Sequence, residues 1–558
     1  MRGIDVLRQN FHIPEGALTD AGGRPMEGVI SAPEPEAVEA GAEMLRAGGN
    51  AMDAAIACAF VQGVVDPPMT GIGGWGTLQV FMAKPAAHAT VDFYATAPRA
   101  ARADMWTDKL VGQTRDGWGF LIANHENEIG YKAIATPGSL KGYAEAHAKF
   151  GVLPWAQLLE PAIALAEGGF RLLPHFHQFL VGPSVMGRAA PRDKMRFSAT
   201  GRRLYYQEDG DAKAVGTVLK NPELGRSLRR IAEHGADIFY QGAMAEEIIA
   251  DIQAHGGILT REDLAEYRPR WSEPNWTTYR GRRISSNQPP GGGIVLLELL
   301  NILENFDIAA LGHNTPDYIR TVGEAMKCAM ADKDQLVGDP EFVDVPIARF
   351  LDKAYAASVA EKIRKGERYS VTRLNGSEGK HTTNVSVLDA DGNAVVMTHS
   401  LGMVSGAATE GLGFFYNGAM GVFDPRPGHA GSIAPGKRRY TSACPTLVFE
   451  GDTPSMVVGA PGGAHIVNAV LQSLLNVIDF GMPMSEAVSA PRFSVTSDKI
   501  DISNRIPHRV SNALAADGYE IVRSHKSYVF ADVHAVGRTK HGWTGGADPS
   551  ADGMVMVA

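Results

Sequence analysis

Apolar positions recur at helical spacing through most of the chain before residue 382, and at strand spacing after it. Residues 34–47 interleave glutamates with Ala37, Ala40 and Leu45 at helical intervals, and Gly48-Gly49 supplies the stop. Met52 to Val65 reads as a second, largely buried helix. Residues 77–82 and 88–93 alternate as two strands. Residues 139 to about 270 are mainly helical, most clearly Leu158 to Glu167 and Ala243 to Ala254. Two further helices are predicted over 293–306 and 315–334; the first follows Pro289-Pro290-Gly291-Gly292-Gly293, read as a flexible segment. Beyond 382, Leu447 to Phe449 and Met456 to Val458 are strands, and an apolar helix runs from about His465 to Ile478. Strands flanked on both sides by helices imply a layered α/β domain.

The sharpest local pattern lies at the change of regime. Thr382-Thr383 opens a strand in which Val385 and Val387 alternate with Asn384, Ser386 and Leu388. Asp389-Ala390-Asp391-Gly392-Asn393 is a turn, and residues 394–400 return, ending on His399-Ser400. A threonine at a strand start becomes a catalyst if the peptide bond before it is cut. Its hydroxyl is then the nucleophile, and its new α-amine, with a pKa of about 7.7–8.0, takes the proton. Gly462-Gly463, between the strand at 456–458 and the helix from 465, offers backbone N–H groups to a developing oxyanion.

Composition narrows the class. The 558 residues contain no linker-like tract and are read as one large globular unit. A net charge of −9 without a basic block argues against nucleic acid or an anionic membrane as partner. No apolar run approaches the ~18 residues of a membrane span. Cys58, Cys328 and Cys444 are far apart and read as buried small hydrophobes. The first residues lack the apolar core of a signal peptide, so a cytoplasmic location is expected.

Three motifs mislead. Gly71-Ile72-Gly73-Gly74-Trp75-Gly76 satisfies a dinucleotide fingerprint, but Asp66-Pro67-Pro68 precedes it and a strand follows. Gly431 to Lys437 mimics a phosphate loop, yet Arg438 stands where a hydroxyl should bind metal. His175 and His177, placed on a strand, have no further ligand at convincing spacing. No cofactor and no catalytic metal are expected.

The segment Thr382-Thr383-x-x-Ser386-Val387-x-Asp389-x-Asp391-Gly392-Asn393 resembles the small-subunit start of the γ-glutamyltransferase family of N-terminal-nucleophile (Ntn) hydrolases. Other segments fall in the family's order, among them residues 45–55, Gly71 to Gly74, Thr136 to Ser139, Pro435 to Arg438 and Gly459 to Gly463. The resemblance, covering about residue 25 to the C-terminus, implies a four-layer αββα sandwich that cleaves itself between His381 and Thr382. Residues 1–381 would form a large subunit and 382–558 a small one, associated as one integrated unit, with a dimer of such heterodimers possible. It further implies that Thr382 is the nucleophile, that Ser400 hydrogen-bonds it, and that Gly462 and Gly463 form the oxyanion hole. Thr441 and Ser442 match a hydroxyl pair that holds a substrate carboxylate, and Thr383 is counted with the substrate-binding positions.

The resemblance fails in the γ-glutamyl pocket. The arginine that forks onto the substrate α-carboxylate is replaced by Tyr94. Groups that read the α-ammonium are replaced by Val422, Gly402 and Ala419. An ammonium buried there unpartnered would cost several kcal/mol. The expected substrate is therefore a small amide other than a free γ-glutamyl amino acid. Arg99, Arg438 and Arg439 are candidates for a differently placed carboxylate, as in oxamate amidohydrolase-like relatives; cephalosporin-type acylases are another branch. A true γ-glutamyl hydrolase or transpeptidase acting on glutathione-like substrates is the alternative, and an unprocessed, non-catalytic binding protein is the alternative of another class.

Overall fold

The computed structural model describes residues 27–184, 187–373 and 382–558. Two antiparallel sheets lie face to face. The first has seven strands in the order Met554–Val557, Gly28–Ala32, Thr383–Asp389, Ala394–Ser400, Trp75–Met82, Ala87–Phe93, Arg270–Ser272. The second has six, in the order Gly542–Ala547, His534–Thr539, Thr453–Gly459, Thr446–Glu450, Arg282–Ser286, Asn275–Tyr279. Both sheets mix strands from the two sides of residue 382.

The layering follows from strands that are apolar on both faces. In Thr383–Asp389 and its neighbour, Val385, Val387, Val395 and Met397 point into a helical core. Leu388, Ala394 and Val396 point the other way, against Leu447, Phe449, Val457 and Val536 of the second sheet. Helices Pro35–Arg46 and Ala51–Val65 cover the outer face of the first sheet. Helices Gly293–Leu303 and Ile466–Ile478 cover the second with their own core. The result is the expected αββα sandwich.

Local chemistry fixes the helix under the central strands. Asn50 accepts from Met52 N and Asp53 N (2.9 and 3.2 Å), and the Asp53 carboxylate accepts from Asn50 N at 2.9 Å, a reciprocal capping box. The body of Ala51–Val65 is buried all round, which suits a core helix rather than an amphipathic one. Its first turn is tied to the hairpin beyond residue 382. Asp389 accepts from Ala51 N (2.9 Å), Asn393 N (2.8 Å) and Asn393 Nδ2 (2.8 Å), and Asn393 Oδ1 accepts from Ala83 N at 2.9 Å. The Asp-Ala-Asp-Gly-Asn turn therefore joins the hairpin to both the helix and the neighbouring strand.

Two sequence expectations need correction. His175 and His177 lie on the helix Pro174–Val181, not on a strand, so their i, i+2 spacing splays the imidazoles apart. Residues 289–293 are buried and held, not flexible: Gly292 N donates to Ala443 O (2.9 Å) and Gly293 N to Asn287 Oδ1 (3.0 Å). The glycine-rich 71–76 segment runs into a strand, as its flanks predicted. All three cysteines are buried and unbridged. Among the described residues no helix is long and apolar enough to cross a membrane.

Asp389→Ala should lower stability by about 3 kcal/mol, because three buried donors lose a charged acceptor. A thermal unfolding scan checks this, and Asp389→Asn should recover part of the loss.

Candidate active site

The hairpin register brings the candidate residues together. Thr383 pairs with His399 across the two strands, which sets Thr382 opposite Ser400 at the open end. Both are buried, Thr382 at 2% exposure and Ser400 at 0%. Ser400 Oγ donates to Thr382 Oγ1 across 3.4 Å and accepts from Gly402 N at 2.7 Å. The backbone amide occupies a lone pair of the serine, which turns the serine proton toward the threonine oxygen. Gly402 has φ 73°, a left-handed backbone that suits glycine.

Side-chain parity sends the next pair to the opposite face. Thr383 Oγ1 accepts from Gln62 Nε2 at 2.9 Å, and Gln62 Oε1 faces His399 Nε2 at 2.8 Å. Since Gln62 spends its N–H groups on acceptors such as Thr383, His399 Nε2 carries the proton. Nδ1 then accepts from Tyr143 OH (2.6 Å) and lies 2.9 Å from Thr70 Oγ1. Burial drives the His399 pKa down to about 3, so the ring stays neutral. Thr383 thus braces the strand from below, on the side away from the Thr382 hydroxyl. Sequence reasoning passed over Gln62 and His399. The signal was there: one amide inside an otherwise apolar helix, and one imidazole inside an apolar strand.

The glycine turn approaches from the second sheet. A side chain at Gly459 would lie 2.2 Å from Asn384 Oδ1, so this strand end sits on the start of Thr383–Asp389. Gly462 (φ 140°) and Gly463 (φ 59°) follow, both in glycine territory. A Cβ on Gly462 would meet Ala531 Cα at 2.4 Å. The opposing Phe530-Ala531 is itself left-handed (φ 64° and 73°). It is pinned by Asp532 N donating to Pro461 O (3.0 Å) and by Arg492 Nη2 donating to Ala531 O (2.8 Å), with Arg492 ion-paired to Asp548. His465 N closes the turn onto Gly462 O, which leaves the amides of 462 and 463 outside the helical ladder.

Of the expected recognition positions, Tyr94 and Ala419 lie in one apolar cluster. The Tyr94 phenol accepts from Asn287 Nδ2 at 2.9 Å, and its ring packs edge-on against Trp75 at 5.8 Å. Ala419 and Met420 share that cluster, and Val422 ends the same turn, half-buried. Thr441 is buried, its hydroxyl accepting from Ala443 N at 3.2 Å; Ser442 Oγ lies 3.4 Å from Tyr440 OH. His381 lies outside the described residues. Of the three candidate arginines, two are spoken for. Arg438 pairs with Asp92 at 2.8 Å and with Asp339, and Arg99 pairs with Glu266 and Asp263. They line a charged cavity of about 210 Å³ that also includes Tyr94. Arg439 is different: it is buried between Trp75 and Trp118, close to Gly402.

An αββα sandwich with a hydroxyl residue at the mouth of a central strand, a second hydroxyl against it and a diglycine turn above is the frame of an Ntn hydrolase, an enzyme of amide bonds. The chain belongs to the gamma-glutamyltranspeptidase family, whose model matches residues 37–558. It is 37% identical over 537 residues to the Acylase ACY 1 proenzyme of Pseudomonas sp. (strain V22), covering 95% of this chain and 93% of that protein. It is 33% identical over 552 residues to the glutathione hydrolase proenzyme of Pseudomonas aeruginosa, covering 95% and 94%. Among solved structures, cephalosporin acylase from Bacillus halodurans superposes with a TM-score of 0.84 at 29% identity, over 95% of this chain and 96% of that one.

The neutral His399 carries a pH signature. Its folded pKa of about 3 lies below the unfolded value near 6.5, so only the unfolded chain takes up the proton between them. The associated stability is full above pH 6.5 and is lost at about 1.4 kcal/mol per pH unit as pH falls toward 3. Thermal midpoints between pH 7 and 4.5 should fall more steeply for the wild type than for His399→Asn.

Proposed function

We propose that this protein is a self-cleaving, N-terminal-threonine amidohydrolase of acylase type. The observation that carries the reading is the Thr382–Ser400–Gly402 contact set; Tyr94, Gly402, Ala419 and Val422 at the expected recognition positions support an acyl group other than an α-amino acid. In the processing step, the Thr382 hydroxyl attacks the His381 carbonyl carbon, and the C–N bond breaks to leave an ester. Breaking that bond frees the Thr382 α-amine, which takes the hydroxyl proton, and water then hydrolyses the ester, releasing the His381 carboxylate and regenerating the Thr382 hydroxyl. The two chains that result, 1–381 and 382–558, stay together because each sheet interleaves strands of both.

Catalysis repeats the attack on a substrate amide. The α-amine of Thr382 takes the hydroxyl proton as Oγ1 bonds to the carbonyl carbon. The N–H groups of Gly462 and Gly463 meet the oxyanion, where one donor is typically worth about 10²–10³ in rate. The proton passes to the departing amine as the C–N bond breaks, and water attacks the acyl ester to regenerate the hydroxyl. Ser400 polarises the nucleophile and holds its rotamer. Tyr94, turned into the protein by Asn287, lines the acyl pocket as an apolar wall. Identity with a glutathione hydrolase supports the second reading, a γ-glutamyl hydrolase with a rearranged pocket.

A denaturing gel of purified protein should show two chains split before Thr382, and Thr382→Ala should run as one full-length band. The processed protein should hydrolyse short N-acyl p-nitroanilides and scarcely touch γ-glutamyl-p-nitroanilide. Rapid nitroaniline release from the latter at micromolar concentration would transfer the reading to the γ-glutamyl hydrolase.

A further inference from the structure

Two buried acids meet behind the strand Thr383–Asp389. Glu34 precedes the helix Pro35–Arg46 and is 4% exposed; Asp66 ends the helix Ala51–Val65 and is 2% exposed. Their carboxyl groups are within hydrogen-bonding reach of each other, and neither Asp66 oxygen receives a donor from an N–H or a hydroxyl. Among the described residues no lysine or arginine pairs with either acid; His175 Nε2 stands 3.8 Å from Asp66 Oδ2. Asp552 adds a third carboxylate to the surroundings and accepts from His175 N at 3.4 Å. Glu34 has φ 61°, left-handed for a residue with a Cβ, and its side chain does not cap the helix it precedes. Backbone strain of this kind persists where the surroundings over-determine it, and here the carboxyl turns inward. Two carboxyl groups bond to each other only through a proton, so the pair holds one between them. Burial, and then the Asp66 charge, drive the Glu34 pKa well above the usual carboxylate range, which puts that proton on Glu34.

The pair touches the candidate site through one amide. Gln62 Nε2 has two hydrogens and four oxygens in reach. These are Thr383 Oγ1 at 2.9 Å, Glu34 Oε2 at 3.2 Å, and Pro33 O and Asn384 O, both at 3.4 Å. Two of the four belong to the first residues of the strand that follows Thr382. A neutral Glu34 competes with them on equal terms. An ionised Glu34 does not, since charge-assisted hydrogen bonds are about twice as strong as neutral ones. Loss of the proton therefore draws the amide toward Glu34 and off Thr383, whose pairing with His399 sets Thr382 opposite Ser400. The Thr382–Ser400 contact, at 3.4 Å, is long enough to be broken by a small shift.

Resting on the amidohydrolase reading above, we propose that Glu34 is a positioning residue: it shares one proton with Asp66, and its neutral form leaves Gln62 free to hold the start of the nucleophile strand. Activity then ends on the alkaline side when that proton leaves. The other titratable groups around the pair are Asp552, His175, Cys58 one helical turn before Gln62, Tyr205 and, across the Gln62 amide, His399. Burial raises the Cys58 thiol and the Tyr205 phenol and lowers His399, so none of these three changes charge over the range in which the pair gives up its proton.

The test is the pH profile of kcat and KM for a short N-acyl p-nitroanilide, taken on the processed protein up to about pH 10. Wild-type kcat should rise as the Thr382 α-amine loses its proton and then fall by about tenfold from its maximum, with KM little changed. Glu34→Gln, neutral at every pH, should abolish the fall, and Asp66→Asn should move it to lower pH by removing the charge that holds the proton on Glu34. His175→Gln should keep the fall where it is. An infrared difference spectrum at pH 8 gives a readout that needs no catalysis: Glu34→Gln should lose one protonated-carboxyl band present in wild type. Should Glu34→Gln fail to fold, the direction of the Asp66→Asn shift decides. A wild-type profile with no fall, a fall that survives in Glu34→Gln or vanishes in His175→Gln, a fall carried by KM alone, or an unchanged infrared band would overturn the inference and leave the amidohydrolase intact. A band lost as expected, in a protein that hydrolyses no amide, would instead uphold the shared proton and sink the amidohydrolase reading.

Discussion

The register between Thr383–Asp389 and Ala394–Ser400 is the constraint on which the site rests. Because side chains alternate, pairing Thr383 with His399 forces Thr382 and Ser400 to one face and the Gln62-bound pair to the other. A slip of one residue would exchange the two faces and separate the hydroxyls. The register is defended at the far end by Asp389, whose carboxylate closes the turn and reaches the N-terminus of the buried helix. It is defended at the near end by the Gln62–His399–Tyr143 chain, which ties the same strands to that helix and to Ser139–Phe150. The geometry of the candidate site is thus held by polar bonds in an apolar core, where each bond left unmade is expensive.

This arrangement explains why some features were legible in the sequence and others were not. Period-two patterning around Asp-Ala-Asp-Gly-Asn located the hairpin, and Gly462-Gly463 between a strand and a helix located the second wall. Both are local signals, set by neighbours in the chain. The layered fold was also legible, since strands flanked by helices on both sides imply layers and the family resemblance specifies four. The edge strands Gly542–Ala547 and Met554–Val557 went unseen; three glycines dilute one, and methionine-valine alternation gives the other no polar face. His175 and His177 were misread because a short apolar run does not distinguish strand from helix. The Trp75–Arg439–Trp118 stack is beyond any window on the sequence, since its members are distant in the chain and meet only through tertiary packing.

The second wall shows how rigidity is supplied where catalysis would use backbone donors. Gly462 admits no side chain because Ala531 lies against it, and Ala531 is held left-handed by Arg492, itself neutralised by Asp548. Non-glycine residues in that region of backbone space persist only when their surroundings over-determine them. A buried ion pair is weak support for stability in general, so its role here is better understood as fixing the loop that fixes the glycines.

Specificity in such a scaffold is governed by the charge that the acyl pocket can neutralise. On the proposed mechanism the hydroxyls and the diglycine turn are indifferent to the acyl group, since they would act on the carbonyl common to all amides. What differs is the set of side chains around the Thr382–Ser400 pair. Arg438, a candidate for an anion, is saturated by Asp92 and Asp339, and the Tyr94 hydroxyl is engaged by Asn287, leaving its ring as an apolar surface. Arg439, by contrast, is kept dry between two indoles and close to Gly402, where the low local dielectric magnifies whatever it meets. On the proposed acylase reading, an ammonium brought beside Arg439 would meet like charge in a dry setting, which is the physical argument against a γ-glutamyl group.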